Sequence, residues 1–190
     1  EQTKASPYLG FFLLDNYGKP VFSNLVSFDP VQFHSVGESI PAGGDAGVKD
    51  VFMFTMGQAQ IPALLICSSI QNYSKKQNIS KKSCGHLCAL IDFRRIGALL
   101  RKSNIEATGE VYLVDQKGRF LSTSRFGAKA LTDNISMDFI AENKQGLYET
   151  IDYRGERVLQ ACQKVADFPW YVIADQDMAE ISNRIKTLEK

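Results

Sequence analysis

The side chains with the most chemical promise lie in Cys84-Gly85-His86-Leu87-Cys88, where two thiols and an imidazole, all common metal ligands, crowd into one short run. Their spacing is neither the paired CxxC of zinc sites nor the CxxCH of haem attachment. In an extended chain His86 shares a face with both cysteines, but those two then stand about 13 Å apart at ~3.3 Å per residue, too far to bridge or to hold one ion unaided. No metal site is expected there, and no cofactor. Phosphate chemistry fails similarly, since Gly43-Gly44 is followed by Asp45 and by no lysine-serine pair. His34 and His86 have no nucleophile motif around them, and neither GxSxG nor HExxH occurs. No catalytic residue is assigned, and the domain is read as non-catalytic.

One cysteine pairing stays open. If residues 61–70 fold back onto 86–93 with Ile70 opposite Gly85, Cys67 faces Cys88 within disulfide reach. The default reading is that both are buried free thiols acting as small hydrophobes, with the cross-strand bond as the alternative. Cys162 sits in an apolar strand with no candidate partner.

The elements that must position these residues are announced by a phrase used twice. Residues 11–23, FFLLDNYGKPVFS, recur in pattern as 111–123, VYLVDQKGRFLST, with Leu, Asp and Gly in register. Each copy reads as a strand, a turn in which Asp bonds its own backbone and Gly takes positive φ, and a second strand. An offset this long exceeds a solenoid unit and fits duplication of a small domain. Strands at 50–56, 61–70 and 86–93 and a helix at 94–102 follow the first hairpin. Strands at 147–152, 157–165 and 170–174 and a helix from 178 follow the second. The fold class is α+β, two lobes at 1–103 and 104–190, each an antiparallel sheet of about five strands with flanking helices.

Composition narrows the partners. With 190 residues, 44% hydrophobic and 23% charged, the chain can bury one generous core or two modest ones. A net charge of +1 gives no electrostatic case for nucleic acid. The local basic run at 74–83 reads as a solvated hairpin loop. No stretch approaches the roughly eighteen apolar residues that span a bilayer, and Glu1 opens neither a start codon's methionine nor a signal peptide, so the chain reads as part of something longer.

These residues resemble a family. Leu14-Asp15-x-x-Gly18 and Gly109-Glu110-x-Tyr112-Leu113-Val114-Asp115-x-x-Gly118-x-x-Leu121-x-x-Ser124-Arg125 are similar to the two hairpins of double Cache domains, the tandem PAS-like sensor modules of bacterial transmembrane receptors. Lys49-Asp50-Val51-Phe52 and Ile61-Pro62-Ala63 resemble middle strands of the membrane-distal lobe. Tyr153-Arg154-Gly155-Glu156-Arg157-Val158-Leu159 and Phe168-Pro169-Trp170-Tyr171-Val172-Ile173-Ala174 resemble those closing the membrane-proximal lobe. The likeness covers 9–185. It implies PAS-like lobes, a long N-terminal helix missing or outside the chain, and a closing helix whose apolar face, Met178, Ile181, Ile185 and Leu188, leads toward the membrane.

By the same resemblance the chain is an extracytoplasmic, periplasmic sensor of a receptor in the inner membrane, most nearly a sensor histidine kinase. It would bind an unknown small molecule, reach the membrane through segments outside the chain, and pair as a homodimer in the full receptor. The alternatives are a chemoreceptor sensor, a ligand-free interaction module that contacts a periplasmic protein, and a cytoplasmic PAS tandem with redox-active thiols. Members that bind amino acids hold the carboxylate with Arg-x-Trp-Tyr and the amine with Tyr-x-Asp and a late-strand Asp. Here Asp50 and Asp92 fall on the two acidic positions, Val48 replaces the tyrosine, and the Arg-x-Trp-Tyr run is absent. A bound carboxylate would lack its bidentate guanidinium partner, so the aspartates suit an amine-bearing ligand better. Phe52 and Phe54, alternating along their strand, are the candidate aromatic lining, with core packing as the competing role. Tyr112, Tyr148 and Tyr153 are candidates to border a pocket in the proximal lobe, with a structural role as the competing reading, and Trp170 reads as a core anchor.

Overall fold

Strand alternation and three aspartate turns organise the chain. The computed structural model describes residues 6–25, 47–71, 83–103, 106–136 and 146–188. Residues 28, 33, 34 and 41–45 and nearly all of the basic run at 74–83, to which expectations were attached above, lie outside that set. The chain divides into two compact units, Glu1–Phe93 and Arg94–Lys190. The helix at 94–102, assigned above to the first lobe, groups with the second.

The first unit holds β1 (Tyr8–Leu14), β2 (Pro20–Ser23), β3 (Gly47–Met56), β4 (Ala59–Gln71) and β5 (Ser83–Asp92) in one antiparallel sheet of order β2-β1-β5-β4-β3. Alternate residues face one core, with Phe12 and Leu14 from β1, Ala63 and Leu65 from β4, and Cys88 and Leu90 from β5. This is the period-two pattern of a sheet with one buried side. Ile70 pairs with Gly85, and three steps on Cys67 pairs with Cys88. The two sulfurs are bonded, which overturns the default free-thiol reading for this pair. Register supplies the cause, because directly opposed residues bring their Cβ atoms within bridging range. Cys84 and Cys162 lie outside that disulfide, the first exposed and the second buried.

Gly85 sits where β1 and β5 press together. Its φ is 146°, and a Cβ there would stand 2.3 Å from the Leu14 carbonyl oxygen. No side chain fits without moving the backbone.

The second unit contains α1 (Arg94–Lys102), β6 (Glu110–Asp115), β7 (Gly146–Ile151), β8 (Arg157–Lys164), β9 (Trp170–Asp177) and α2 (Met178–Leu188). Its sheet runs β6-β9-β8-β7, again antiparallel. The expected return strand after β6 is reduced to single bridges, Val114 to Phe120 and Arg119 to Asn134. Its backbone donors are divided, Leu121 N–H to Leu113 and Phe120 N–H to Asp133, so no continuous ladder forms. Strand β9 runs three residues beyond the expected 170–174, through Asp175, Gln176 and Asp177. In α2 the apolar stripe leaves the body of the unit, with Ile185 53% and Leu188 87% exposed.

The repeated turn occurs three times. In each, the aspartate N–H closes onto the carbonyl four residues on, and the glycine N–H returns to the aspartate carbonyl. One carboxylate oxygen also accepts two further backbone N–H groups: Tyr17 and Lys19 on Asp15, Lys117 and Arg119 on Asp115, Arg154 and Glu156 on Asp152. Gly18, Gly118 and Gly155 take φ of 78°, 78° and 83°, which glycine reaches without a Cβ penalty. The third copy, joining β7 to β8, has no counterpart in the 11–23 and 111–123 repeat.

The thiol assignment is directly measurable. Alkylation of the native protein should label Cys84 alone, and denaturation without reductant should add Cys162; four labels before reduction would refute the bond. Reduction should cost about 3 kcal/mol in urea unfolding, the scale for a loop of 21 residues.

Candidate functional site

In the first unit, strand pairing joins two of the four candidate residues. Phe52 on β3 faces Ala63 on β4, which faces Asp92 on β5, so aromatic ring and carboxylate share a row and a face. Asp92 is buried at the end of its strand, and its N–H bonds to the Pro7 carbonyl. Phe52 is half-buried and meets Phe54 edge-on at 6.5 Å. Phe54 is 1% exposed within the core. That burial favours its packing role over lining. Asp50 lies where the β3 register shifts between Val48 and Val51, and its side chain is outside the described residues. His86 is buried beside Ser69, whose hydroxyl is 3.4 Å from Nδ1.

The second unit assembles a denser constellation. Glu110 pairs with Asp175, Asp175 with Gln160, and Gln160 with Tyr148, forming a polar row across all four strands. Tyr112, two residues along β6 on the same face, donates its hydroxyl to Asp175 Oδ2 at 2.7 Å, and Tyr148 donates to Gln160 Oε1 at 2.6 Å. The third aspartate turn carries Tyr153, whose hydroxyl donates to Glu110 Oε1 at 2.6 Å and accepts from Ser124 at 2.8 Å. Arg125 donates its N–H to Glu110 Oε2 and its guanidinium to the Gly109 carbonyl. Glu110, Ser124, Arg125 and Tyr153 thus act as one brace between the strands and the covering segment. Tyr112, Phe120 and Tyr153 stack beneath it with centroids 4.9–5.8 Å apart. Arg154 ties Asp152 to Asp177, at 2.6 Å each, and lies over the Phe126 ring.

Between brace and sheet opens a cleft of about 300 Å³. Tyr112, Gln160, Thr150 and Ile151 contribute from the sheet, Asp152 and Tyr153 from the β7–β8 turn, and Asn134 to Ser136 from the covering segment. Polar side chains dominate this lining.

Electrostatically the row is strained toward neutrality. Burial pushes Asp175 up to about 6, against the hydrogen bonds of Tyr112 and Gln160, with Glu110 and Asp152 adding repulsion. Burial likewise raises Glu110, opposed by Tyr153. Tyr112 is raised by burial and by Asp175, so its hydroxyl remains a donor at any ordinary pH. Cys162, raised to about 11 by burial and Asp175, stays a thiol. Arg154 stays charged because Asp152 and Asp177 outweigh its own burial.

Asp175 and Gln160 were missed in the sequence because Asp175-Gln176-Asp177 looks like the end of a strand. The signal was the two-residue phase from Ile173, which puts Asp175 on the inner face once the strand continues. Of the three tyrosines that the sequence offers as a proximal pocket border, Tyr112 and Tyr153 line this cleft.

Two antiparallel sheets in tandem, each with a covered inner face and one with a polar cleft, define a PAS-like sensor class. The chain belongs to the double Cache family, whose description, Cache domain, matches residues 1–185. No curated protein matches it. Among solved structures, the extracellular domain of rpHK1S-Z16, described as a histidine kinase, superposes with a TM-score of 0.66 at 14% identity, over 90% of this chain and 71% of that one. The ligand-binding domain of the amino-acid chemoreceptor PctC of Pseudomonas aeruginosa PAO1, solved with GABA, gives 0.65 at 14%, over 93% and 77%. That of PctB from the same organism, solved with L-Gln, gives 0.59 at 15%, over 100% and 78%. At these identities the likeness carries the fold.

Asp175 makes a pH prediction. Its raised value means the folded state holds the proton more tightly, so its contribution is full below pH ~4 and is lost as pH rises through about 6. The unfolding free energy of Asp175→Asn relative to wild type should therefore grow by about 3 kcal/mol between pH 4 and 7.5. A pH-independent difference in urea unfolding would refute the assignment.

Proposed function

We propose that the chain is the extracytoplasmic sensor portion of a bacterial transmembrane receptor, binding an amine-bearing small molecule in its first lobe. The carrying observation is the row Phe52–Ala63–Asp92, which sets a buried carboxylate on the same sheet face as a partly open aromatic ring. An ammonium group can pair with the carboxylate while the ring packs against its carbon chain. Asp50, from the irregular part of β3, would supply the second carboxylate. The relatives solved with GABA and L-Gln are chemoreceptor domains for amino acids. This chain has no arginine or tryptophan between residues 27 and 50, so the reading excludes recognition of a carboxylate by an Arg-x-Trp-Tyr run.

The disulfide supports an oxidising compartment and weighs against a cytoplasmic redox tandem. No helix among the described residues is long and apolar enough to cross a membrane, so attachment would lie in segments beyond them. Signal would leave through α2, whose outward apolar stripe could change packing partner with ligand, and the output would be a histidine kinase or, second, a chemotaxis module. The dimeric receptor belongs to the same proposal. A reading as a protein-contact module draws on exposed Phe11, Phe22 and Leu87 of the first sheet.

Thermal denaturation against amino acids, polyamines, simple amines, organic acids and purines tests it. An amine should raise Tm saturably by mass action, and Asp92→Asn or Asp50→Asn should weaken that shift at least tenfold. A shift indifferent to both substitutions would remove the first-lobe site, and no shift with any compound would leave the protein-contact reading.

A further inference from the structure

The second unit carries its own reason to bind something. In its cleft of about 300 Å³, at the lower end for small-molecule sites, the tyrosine hydroxyls donate inward to the polar row, and none of the lining side chains carries a positive charge. Tyr112 spends its proton on Asp175, Tyr153 on Glu110 and Tyr148 on Gln160. The Tyr112 oxygen retains acceptor capacity.

Charge points the same way. Arg154 is divided between Asp152 and Asp177, and Arg125 turns its guanidinium to the carbonyls of Glu106 and Gly109. Neither Asp175 nor Glu110 forms a salt bridge among the described residues. Asp175 is 1% exposed, and its Oδ1 accepts no hydrogen bond from any of them. A buried carboxylate left this way costs stability, and such a group calls for an occupant that repays it.

We propose that this cleft is a second small-molecule site, selective for a compact ammonium-bearing ligand, with Tyr112, Gln160, Asn134 and Thr150 as its polar lining and Asp175 as the counter-charge behind them. It is separate from the first-lobe row. The ammonium group brings the positive charge that the lining lacks, while Ile135 and Ile151 meet the carbon chain. The upward shift that burial gives Asp175 is consistent with this, since a cation nearby would favour its charged form.

The test is calorimetric titration at pH 7.5 with 1,4-diaminobutane and ethanolamine, each against its neutral match, 1,4-butanediol and ethylene glycol. At least one amine should bind saturably and neither diol should. The titrations are run on the Asp50→Asn, Asp92→Asn double variant, which neutralises the first-lobe carboxylates proposed above, and in that background Asp175→Asn and Gln160→Leu should each weaken binding at least tenfold. Asp175→Asn removes a buried charge without changing shape, so it should fold, which urea unfolding verifies. The proposal is overturned if neither amine binds, if a diol binds as well as its amine, or if binding survives both second-unit substitutions. An amine that binds the wild type but not the Asp50→Asn, Asp92→Asn protein would overturn it too, and would be assigned to the first lobe.

Discussion

Both sheets depend on a carboxylate folded into a hairpin. In each aspartate turn a single oxygen takes two backbone N–H groups that would otherwise be unpaired, and the glycine supplies the positive φ that lets the strands leave antiparallel. Register follows from that geometry. Because side chains alternate with period two, a slip of one residue would turn every inward group outward. The rows that matter here, Phe12 with Cys88 and Cys67, Phe52 with Ala63 and Asp92, and Glu110 with Asp175, Gln160 and Tyr148, are all consequences of register.

The two units use the inner face differently. The first is dry around its disulfide and aromatic residues, with polar groups at the margins such as His86 and Asp92. The second lays a polar row through its middle, and tyrosine hydroxyls from β6, β7 and the β7–β8 turn satisfy part of it. A half-satisfied buried network is worse for stability than an apolar core, so its presence beside a cleft marks a place where stability was not the only demand. The brace of Glu110, Ser124, Arg125 and Tyr153 makes this tolerable by fixing the covering segment to the sheet with charge-assisted hydrogen bonds.

Much of this was legible from the residues alone. The duplicated Asp-x-x-Gly phrase determined two hairpins, because the turn's chemistry is local, and strand alternation determined two antiparallel sheets in tandem. Even the Ile70–Gly85 register was available, although the choice between thiols and bond was not, since it turns on the distance between two strands separated by a long connection. The motif residues Glu110, Ser124, Arg125 and Tyr153 were visible as a pattern, but nothing local says that they bond to one another.

Tertiary structure alone decided the polar centre of the second unit. Asp175-Gln176-Asp177 is a poor strand by composition, and propensity ends β9 before it; pairing with β6 and β8 overrides that preference. Phe54, indistinguishable from Phe52 in the sequence, is buried in the core with Ala63 and Leu65, whereas Phe52 is half-buried and packs against that cluster. The sequence by itself determined what short-range backbone chemistry can specify, the turns, strands and duplication. Which carboxylate is buried, and what faces it, is a relation between distant strands, and only the folded sheet brings those residues together.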